Sequence, residues 1–330
     1  MIITRVNMKY FIHILIILFT MSDVSIYAQQ NERAIRVLII DGQNTHEDWP
    51  KNTYVLKQYM EETGLFNVAV ARTHFTWKGE EFLEKFKIQG MDPTIAMEEP
   101  TTDPDFSPDF SRYDVVVANY GWKTAPWPKK TQKAFESFVK NGGGLVVFHA
   151  ANNAFPEWSA YNEMTGLGGW GDRTEKDGPY VYYDEKGKEI RDNSPGPGGA
   201  HGEQYEYIIE LQNESHPITN GLPEKWLHTK DELYNTLRGP AKNMTILATA
   251  YDQPEKGGSG KNEPVLFTVE YGKGKVFHSV LGHASYSIAC AGFRTTFLRG
   301  TEWAATGKVT QKVPENFPSV DKTSSLNLEE

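Results

Sequence analysis

Apolar positions along this chain fall into blocks of two kinds. Short, nearly continuous apolar runs ending in Gly or a polar residue recur at Arg36-Val37-Leu38-Ile39-Ile40-Asp41-Gly42, Phe66-Asn67-Val68-Ala69-Val70-Ala71, Tyr113-Asp114-Val115-Val116-Val117-Ala118-Asn119-Tyr120 and Gly144-Leu145-Val146-Val147-Phe148-His149-Ala150. A strand covered on both faces needs such a run. Between them lie helical patterns. One runs from about Asn52 to Glu62, with Tyr54, Val55, Leu56, Tyr59 and Met60 on its apolar face and Gly64 beyond its end. Another opens at Pro128 and reaches about Lys140, with Phe135, Phe138 and Val139 inward and Asn141-Gly142-Gly143-Gly144 closing it. Strand, helix, strand alternation predicts an α/β fold, a doubly wound, mostly parallel sheet flanked by helices.

The Asp-, Pro- and Thr-rich stretch 72–112 reads as a loop-rich connection, and the Gly-, Trp- and Tyr-rich stretch 154–203 as a long ordered insertion over the sheet end. Strands follow at about Tyr205–Leu211, Met244–Ala250, Pro264–Tyr271 and Gly274–Leu281, then a helix from about Ala291 to Ala305. The polar end from Thr323 reads as frayed. At the other end, Arg5 and Lys9 precede the apolar run Tyr10–Phe19, and Ser22 to Ala28 supply small residues. That order is the one a secretory signal peptide uses, and the run is short for a membrane span of about 20 residues. The expected organisation is therefore a signal peptide over 1–28 cleaved after Ala28, an α/β domain over 29–310 and a tail over 311–330. Export to the periplasm or medium is expected, with no integral membrane role after cleavage.

Charge and cysteine content remove further classes. With 34 Lys+Arg against 43 Asp+Glu the formal charge is −9, and no basic block offers a nucleic-acid groove. A single cysteine, Cys290, excludes an internal disulfide and a Cys-based zinc cage. No P-loop or Gly-x-Gly-x-x-Gly cradle follows the first strand, so no nucleotide cofactor is expected. No Gly-x-Ser-x-Gly elbow is present either.

In sheets of this kind ligands bind beyond the carboxyl ends of the strands. Those ends read Asp41-Gly42-Gln43-Asn44-Thr45-His46, Asn119-Tyr120-Gly121-Trp122 and His149-Ala150-Ala151-Asn152-Asn153. His46 and His149 sit at strand ends, and His201, His228 and His283 in Gly-rich or acidic loops. Alone, each of these is most often a structural or surface group; together they point to one sheet edge. His201 and Glu203 share a face if a strand starts there, as metal ligands or an oriented base, with solvated loop residues as the alternative. His228-Thr229-Lys230-Asp231-Glu232 sets an imidazole beside two carboxylates, suited to acid/base work, with a charged helix start as the alternative. His278 reads as packed within its strand, and His74 and His216 as structural. Trp122, Trp127, Trp158 and Trp170 lie near the expected mouth, where aromatic faces beside Asn, Asp and His suit a sugar.

These pieces in this order resemble the ThuA-like (trehalose utilisation) family: Val37–Gly42 with His46, Asn119-Tyr120-Gly121, Phe148-His149-Ala150-Ala151, His216-Pro217-Ile218-Thr219-Asn220-Gly221-Leu222-Pro223, His228-x-x-Asp231-Glu232-Leu233-Tyr234, Tyr271–Val276 and Leu281-Gly282-His283. The resemblance implies a class I glutamine amidotransferase-like, flavodoxin-like sheet whose nucleophile turn holds His149 and Ala150 instead of cysteine. It also implies sugar catabolism beside dehydrogenases that make 3-keto-glycosides. The expected protein is an exported enzyme acting on a small glycoside or 3-keto-glycoside; a non-catalytic sugar-binding protein is the alternative. His149, His228, Asp231 and Glu232 are the expected catalytic groups. His46, Asn119, Tyr120, Trp122, Asn152, Trp170 and Tyr234 are expected to bind substrate, and His201, Glu203 and His283 to hold one divalent, zinc-like ion.

Overall fold

The computed structural model describes residues 33–328. The expected signal peptide lies outside them. The first half of the chain builds β1 (Ile35–Gln43), α1 (Trp49–Glu61), β2 (Phe66–Trp77), α2 (Glu80–Lys85), β3 (Ile95–Met97), β4 (Val115–Ala118), α3 (Lys129–Lys140), β5 (Gly144–Phe148) and α4 (Ser159–Thr165). The second half adds β6 (Tyr180–Tyr183), β7 (Glu189–Asp192), β8 (Ala200–His201), β9 (Tyr205–Leu211), β10 (Lys225–Asp231), β11 (Tyr234–Asn235), β12 (Met244–Tyr251), β13 (Asn262–Tyr271), β14 (Gly274–Ser279), α5 (Ser285–Ile288) and α6 (Ala291–Thr306).

One mixed sheet runs in the order β10-β9-β12-β13-β14-β5-β4-β1-β2-β3. From β14 to β3 neighbours are parallel, and from β10 to β14 antiparallel. The period-two alternation of each buried strand feeds two cores. Val37, Ile39, Val115, Val117, Val146 and Phe148 face α1 and α6, whereas Leu38, Ile40, Val116, Leu145 and Val147 face α3 and α4. The continuous apolar runs are explained by this double burial. Among the described residues no helix is long and apolar enough to cross a membrane.

Two expected loops contain more structure than their composition suggested. The stretch 72–112 prolongs β2 and adds α2 and β3, and the insertion 154–203 contains α4 and the β6–β7 hairpin. The tail is docked, not frayed. Ala291 N donates to Ser324 O and Leu326 N to Ala289 O, each at 2.8 Å, so the segment supplies an acceptor for an opening amide of α6. Leu326 and Leu328 pack on the core. Backbone pairing and two leucines outweigh the polar composition.

Candidate metal centre

Three segments converge at the carboxyl ends of the parallel strands. His46 follows β1, His149 follows β5 and His283 follows β14, while Glu232 comes off the end of β10. One ligand atom from each of these four lies within 4.8 Å of the other three. The imidazole rings of His46, His149 and His283 stand 4.8–5.4 Å apart, centroid to centroid, edge to face. Glu232 Oε1 is 3.5 Å from His283 Nε2 and Oε2 is 4.0 Å from His149 Nε2.

The groups behind the rings set which nitrogen of each carries the proton. His46 Nδ1 lies 3.0 Å from the Asn44 amide oxygen, which only accepts, so Nδ1 carries the proton and Nε2 keeps its lone pair. His149 Nδ1 donates to Val280 O at 2.6 Å, leaving Nε2 to accept from the Tyr234 hydroxyl at 2.9 Å. His149 holds φ at 41°, in the left-handed region, at the sharp turn where β5 ends. The Gln204 amide bridges His283 Nδ1, at 3.2 Å, and the Tyr286 hydroxyl. As placed, the amide nitrogen donates to Nδ1, which leaves the His283 proton on Nε2 facing Glu232, and holding a metal at Nε2 would take the other tautomer. Partners of this kind orient imidazole ligands in metal sites.

Electrostatics agree. Burial, then the neighbouring His283 and His201, pushes His46 down to about 4. Burial, then His46 and His283, holds His149 well below the ordinary imidazole range. Both rings are therefore neutral near pH 7. Burial raises Glu232, against the pull of His283 and His201. Three imidazoles and one carboxylate form a borderline-soft donor set that suits zinc or a similar divalent ion, whose bonds of about 2.0–2.2 Å would draw these atoms together.

Asp231 and His228 stand behind this cluster instead of in it. Both are fully buried, and His228 Nε2 is 2.9 Å from Asp231 Oδ2. Asp231 also accepts from the backbone amides of Glu232 at 2.9 Å, Gly282 at 2.8 Å and His283 at 3.1 Å. One carboxylate thus fixes the main chain under two of the four ligands. Burial opposes ionisation of the pair, and mutual attraction overcomes it. Cys290 first and Asp231 next lift His228 to about 10, and His228 holds Asp231 at about 2. Cys290 lies buried at the start of α6, away from the nucleophile turn.

A bulge explains the pairing of His228 with Asp231. His228 pairs across from Tyr207 and Asp231 from Tyr205, so three steps along β10 match two along β9. In a regular strand residues three apart point to opposite faces; the extra residue returns them to one side. This segment is a strand, not the helix start considered from its charges.

The other expected site residues divide. Tyr234 packs on His149 at 4.5 Å and Trp170 on Tyr234 at 4.8 Å, forming an aromatic wall of the cluster. His201, at the rim, puts Nδ1 3.4 Å from Glu232 Oε1 and 2.9 Å from Gly202 O. Glu203 does not join it: β8 ends at His201, and Glu203, exposed to solvent, turns to Lys256 at 3.6 Å. Asn119 is structural, donating to Trp49 O and Thr53 Oγ1 to tie β4 to α1. Tyr120 is buried among Trp127 and Phe155. Asn152 pairs with buried His278, which confirms His278 as a packed residue. Trp122 is exposed on the loop after β4 with Lys123 Nζ 4.7 Å over its ring, and it touches none of the four ligands. Sequence reasoning passed over Asn44, Gln204 and Tyr286. Asn44 sat inside a strand end already singled out, and Gln204 lay one residue past Glu203, which was favoured for its spacing from His201.

No curated protein matches the chain. Among solved structures, a ThuA-like protein from Parabacteroides merdae ATCC 43184 is 43% identical with a TM-score of 0.77, covering 89% of this chain and 98% of its own. A ThuA-like protein from Bacteroides uniformis ATCC 8492 is 16% identical with a TM-score of 0.49, covering 86% of this chain and 97% of its own. The sequence profile described as ThuA, trehalose utilisation, matches residues 36–304. With that span matched and the fold shared at 43% identity, the chain belongs to the carbohydrate-related ThuA family.

Proposed function

We propose that this protein is an exported, metal-assisted enzyme that processes a glycoside or 3-keto-glycoside by histidine and carboxylate acid/base chemistry. The observation that carries the reading is the convergence of His46, His149, Glu232 and His283, two of whose rings are oriented with unprotonated Nε2 atoms facing inward. When bound there, a divalent ion supplies Lewis acidity to a substrate oxygen. A ketone acidifies the adjacent C–H bond, and a base must then take that proton. His201 suits this part. Its Nδ1 faces two acceptors, the Gly202 carbonyl and Glu232, so the proton resides there and Nε2 is left basic at the rim. The Tyr234 hydroxyl donates to His149 Nε2 in the free site, and would turn that one proton to a developing oxyanion once Nε2 is otherwise engaged. Trp170 and Tyr234 offer an apolar wall to the C–H face of a sugar.

The test is turnover of a panel of glycosides and their 3-keto forms by protein lacking residues 1–28, with zinc, with a chelator, and with His149→Ala. The expected result is product formation that chelator and His149→Ala each abolish. Saturable sugar binding with no product from any substrate would replace the enzyme by a sugar-binding protein. Turnover unchanged by chelator would remove the metal.

A further inference from the structure

On the same edge of the sheet as the cluster lies a cavity of about 310 Å³, walled by Trp122, Pro126, Phe155, Pro156 and Trp158. It sits at the small end of the ~300–1,000 Å³ typical of ligand pockets, the size of a ring rather than of a disaccharide. Its position follows from the strand order. β4 lies between β5 and β1, so the loop after β4, which carries Trp122, runs between the loops that carry His149 and His46. The contact on the His46 side is close. A Cβ on Gly121 would fall 2.0 Å from Asn44 Oδ1, the atom that orients His46. On the other side Phe155, with φ at 51°, follows the turn that begins at His149, and Pro156 packs against Gly171 beside Trp170.

The buried polar groups of the lining are already committed. Thr124 Oγ1 donates to Gln43 O, Gln132 Nε2 donates to Trp127 O while its Oε1 accepts from Lys129, and Trp158 Nε1 donates to Glu136. A second pyranose brings hydroxyls on every side, and toward the inner wall of Phe155 and Trp158, which is buried, they meet no free polar partner. A flat apolar ring needs none, and stacking on tryptophan favours it. Lys123, Lys129 and Glu157 are exposed at the rim, where a ring's polar substituent can reach them or water.

We infer that this cavity receives the aromatic aglycone of a glycoside whose sugar lies at the histidine–glutamate cluster. The inference rests on the carbohydrate reading above for the sugar, and on the cavity's own walls for the aglycone. The test measures binding by calorimetry and saturation-transfer NMR, using phenol, the phenyl glucosides and methyl glucosides of both anomers, and trehalose, with wild type, Trp122→Ala and Trp122→Phe. Trp122 is exposed, so both variants should fold, as melting curves will verify. Phenol and at least one phenyl glucoside should bind, about tenfold or more weakly to Trp122→Ala and nearly normally to Trp122→Phe, with methyl glucosides indifferent to both. The inference is overturned if phenol does not bind, if Trp122→Ala leaves the phenyl ligands unaffected or weakens phenyl and methyl glucosides alike, or if trehalose shows the larger dependence on Trp122. Trp122-dependent phenol binding by a protein that turns over no keto-glycoside would sink the enzymatic reading and leave the cavity's assignment standing.

Discussion

Asp231 and Glu232 are adjacent carboxylates with opposite surroundings. Glu232 faces forward into neutral imidazoles, His46 held at about 4 and His149 well below its ordinary range. Asp231 faces backward onto His228, whose imidazolium persists to about 10. Front rings keep lone pairs for a metal or a proton; the rear ring has given its Nε2 proton to a salt link. Burial is common to both regions, so it does not distinguish them. What differs is the partner: in front a protonated imidazole would repel its neighbouring imidazoles, and behind Cys290 and Asp231 favour the charged ring. Histidine count alone would merge two jobs that the strand's alternation separates.

The strongest way to break this contrast is at the front. Glu232→Gln keeps volume and removes a charged ligand, and should lower retained zinc after dialysis at least ~10-fold and keto-glycoside turnover on the order of 10²-fold, read by metal analysis and product assay. Unchanged zinc and turnover would mean the front is no metal centre. At the rear, Asp231→Asn strands an imidazolium in the interior and should cost about 3 kcal/mol in denaturant unfolding, with a roughly tenfold loss of metal affinity because Glu232 and His283 lose their shared anchor. A loss of stability without any change in metal affinity would show that the rear only supports the fold.

The rear pair also carries a pH signature. His228 has its folded pKa raised from 6.5 to about 10, so its stabilisation is complete below about 6.5 and disappears as pH rises through about 10. Asp231 is lowered from 3.8 to about 2, so its share is present above about 3.8 and is lost as pH falls through about 2. Unfolding free energy should therefore decline between pH 7 and 10 in the wild type and decline less in His228→Gln; equal slopes would contradict a charged His228. The smallest effect belongs to Glu203→Gln. It sits in solvent opposite Lys256, and stability within about 0.5 kcal/mol of wild type and unaltered zinc content are expected.

Much of the fold was legible because buried strands leave an apolar trace that composition does not hide. Val115-Val116-Val117 and Val146-Val147-Phe148 supply both cores at once. The tail was misread because backbone hydrogen bonds, which no side-chain pattern records, join Leu326 and Leu328 in holding it. At the site, His46, His149 and His283 stood out by their position after strands. His228 and Asp231 were also found, yet their direction was not, since spacing assigns a face only when the local backbone is regular. Asn119 and Tyr120 marked a strand end correctly and turned inward because α1 and the aromatic cluster around Trp127 need them. Glu203 was expected to share a strand face with His201, while the contact with His283 went to its neighbour Gln204.

The extra residue in β10 changes how this site should be recognised in other chains. Either Thr229 or Lys230 is surplus to the phase of the strand, because His228 and Asp231 already oppose Tyr207 and Tyr205 as if two steps apart. A relative reading His-x-Asp-Glu in place of His-x-x-Asp-Glu would aim the same groups in the same directions. A one-residue gap at that point in an alignment is geometrically silent, and a search with fixed spacing would discard sites that this backbone treats as equivalent.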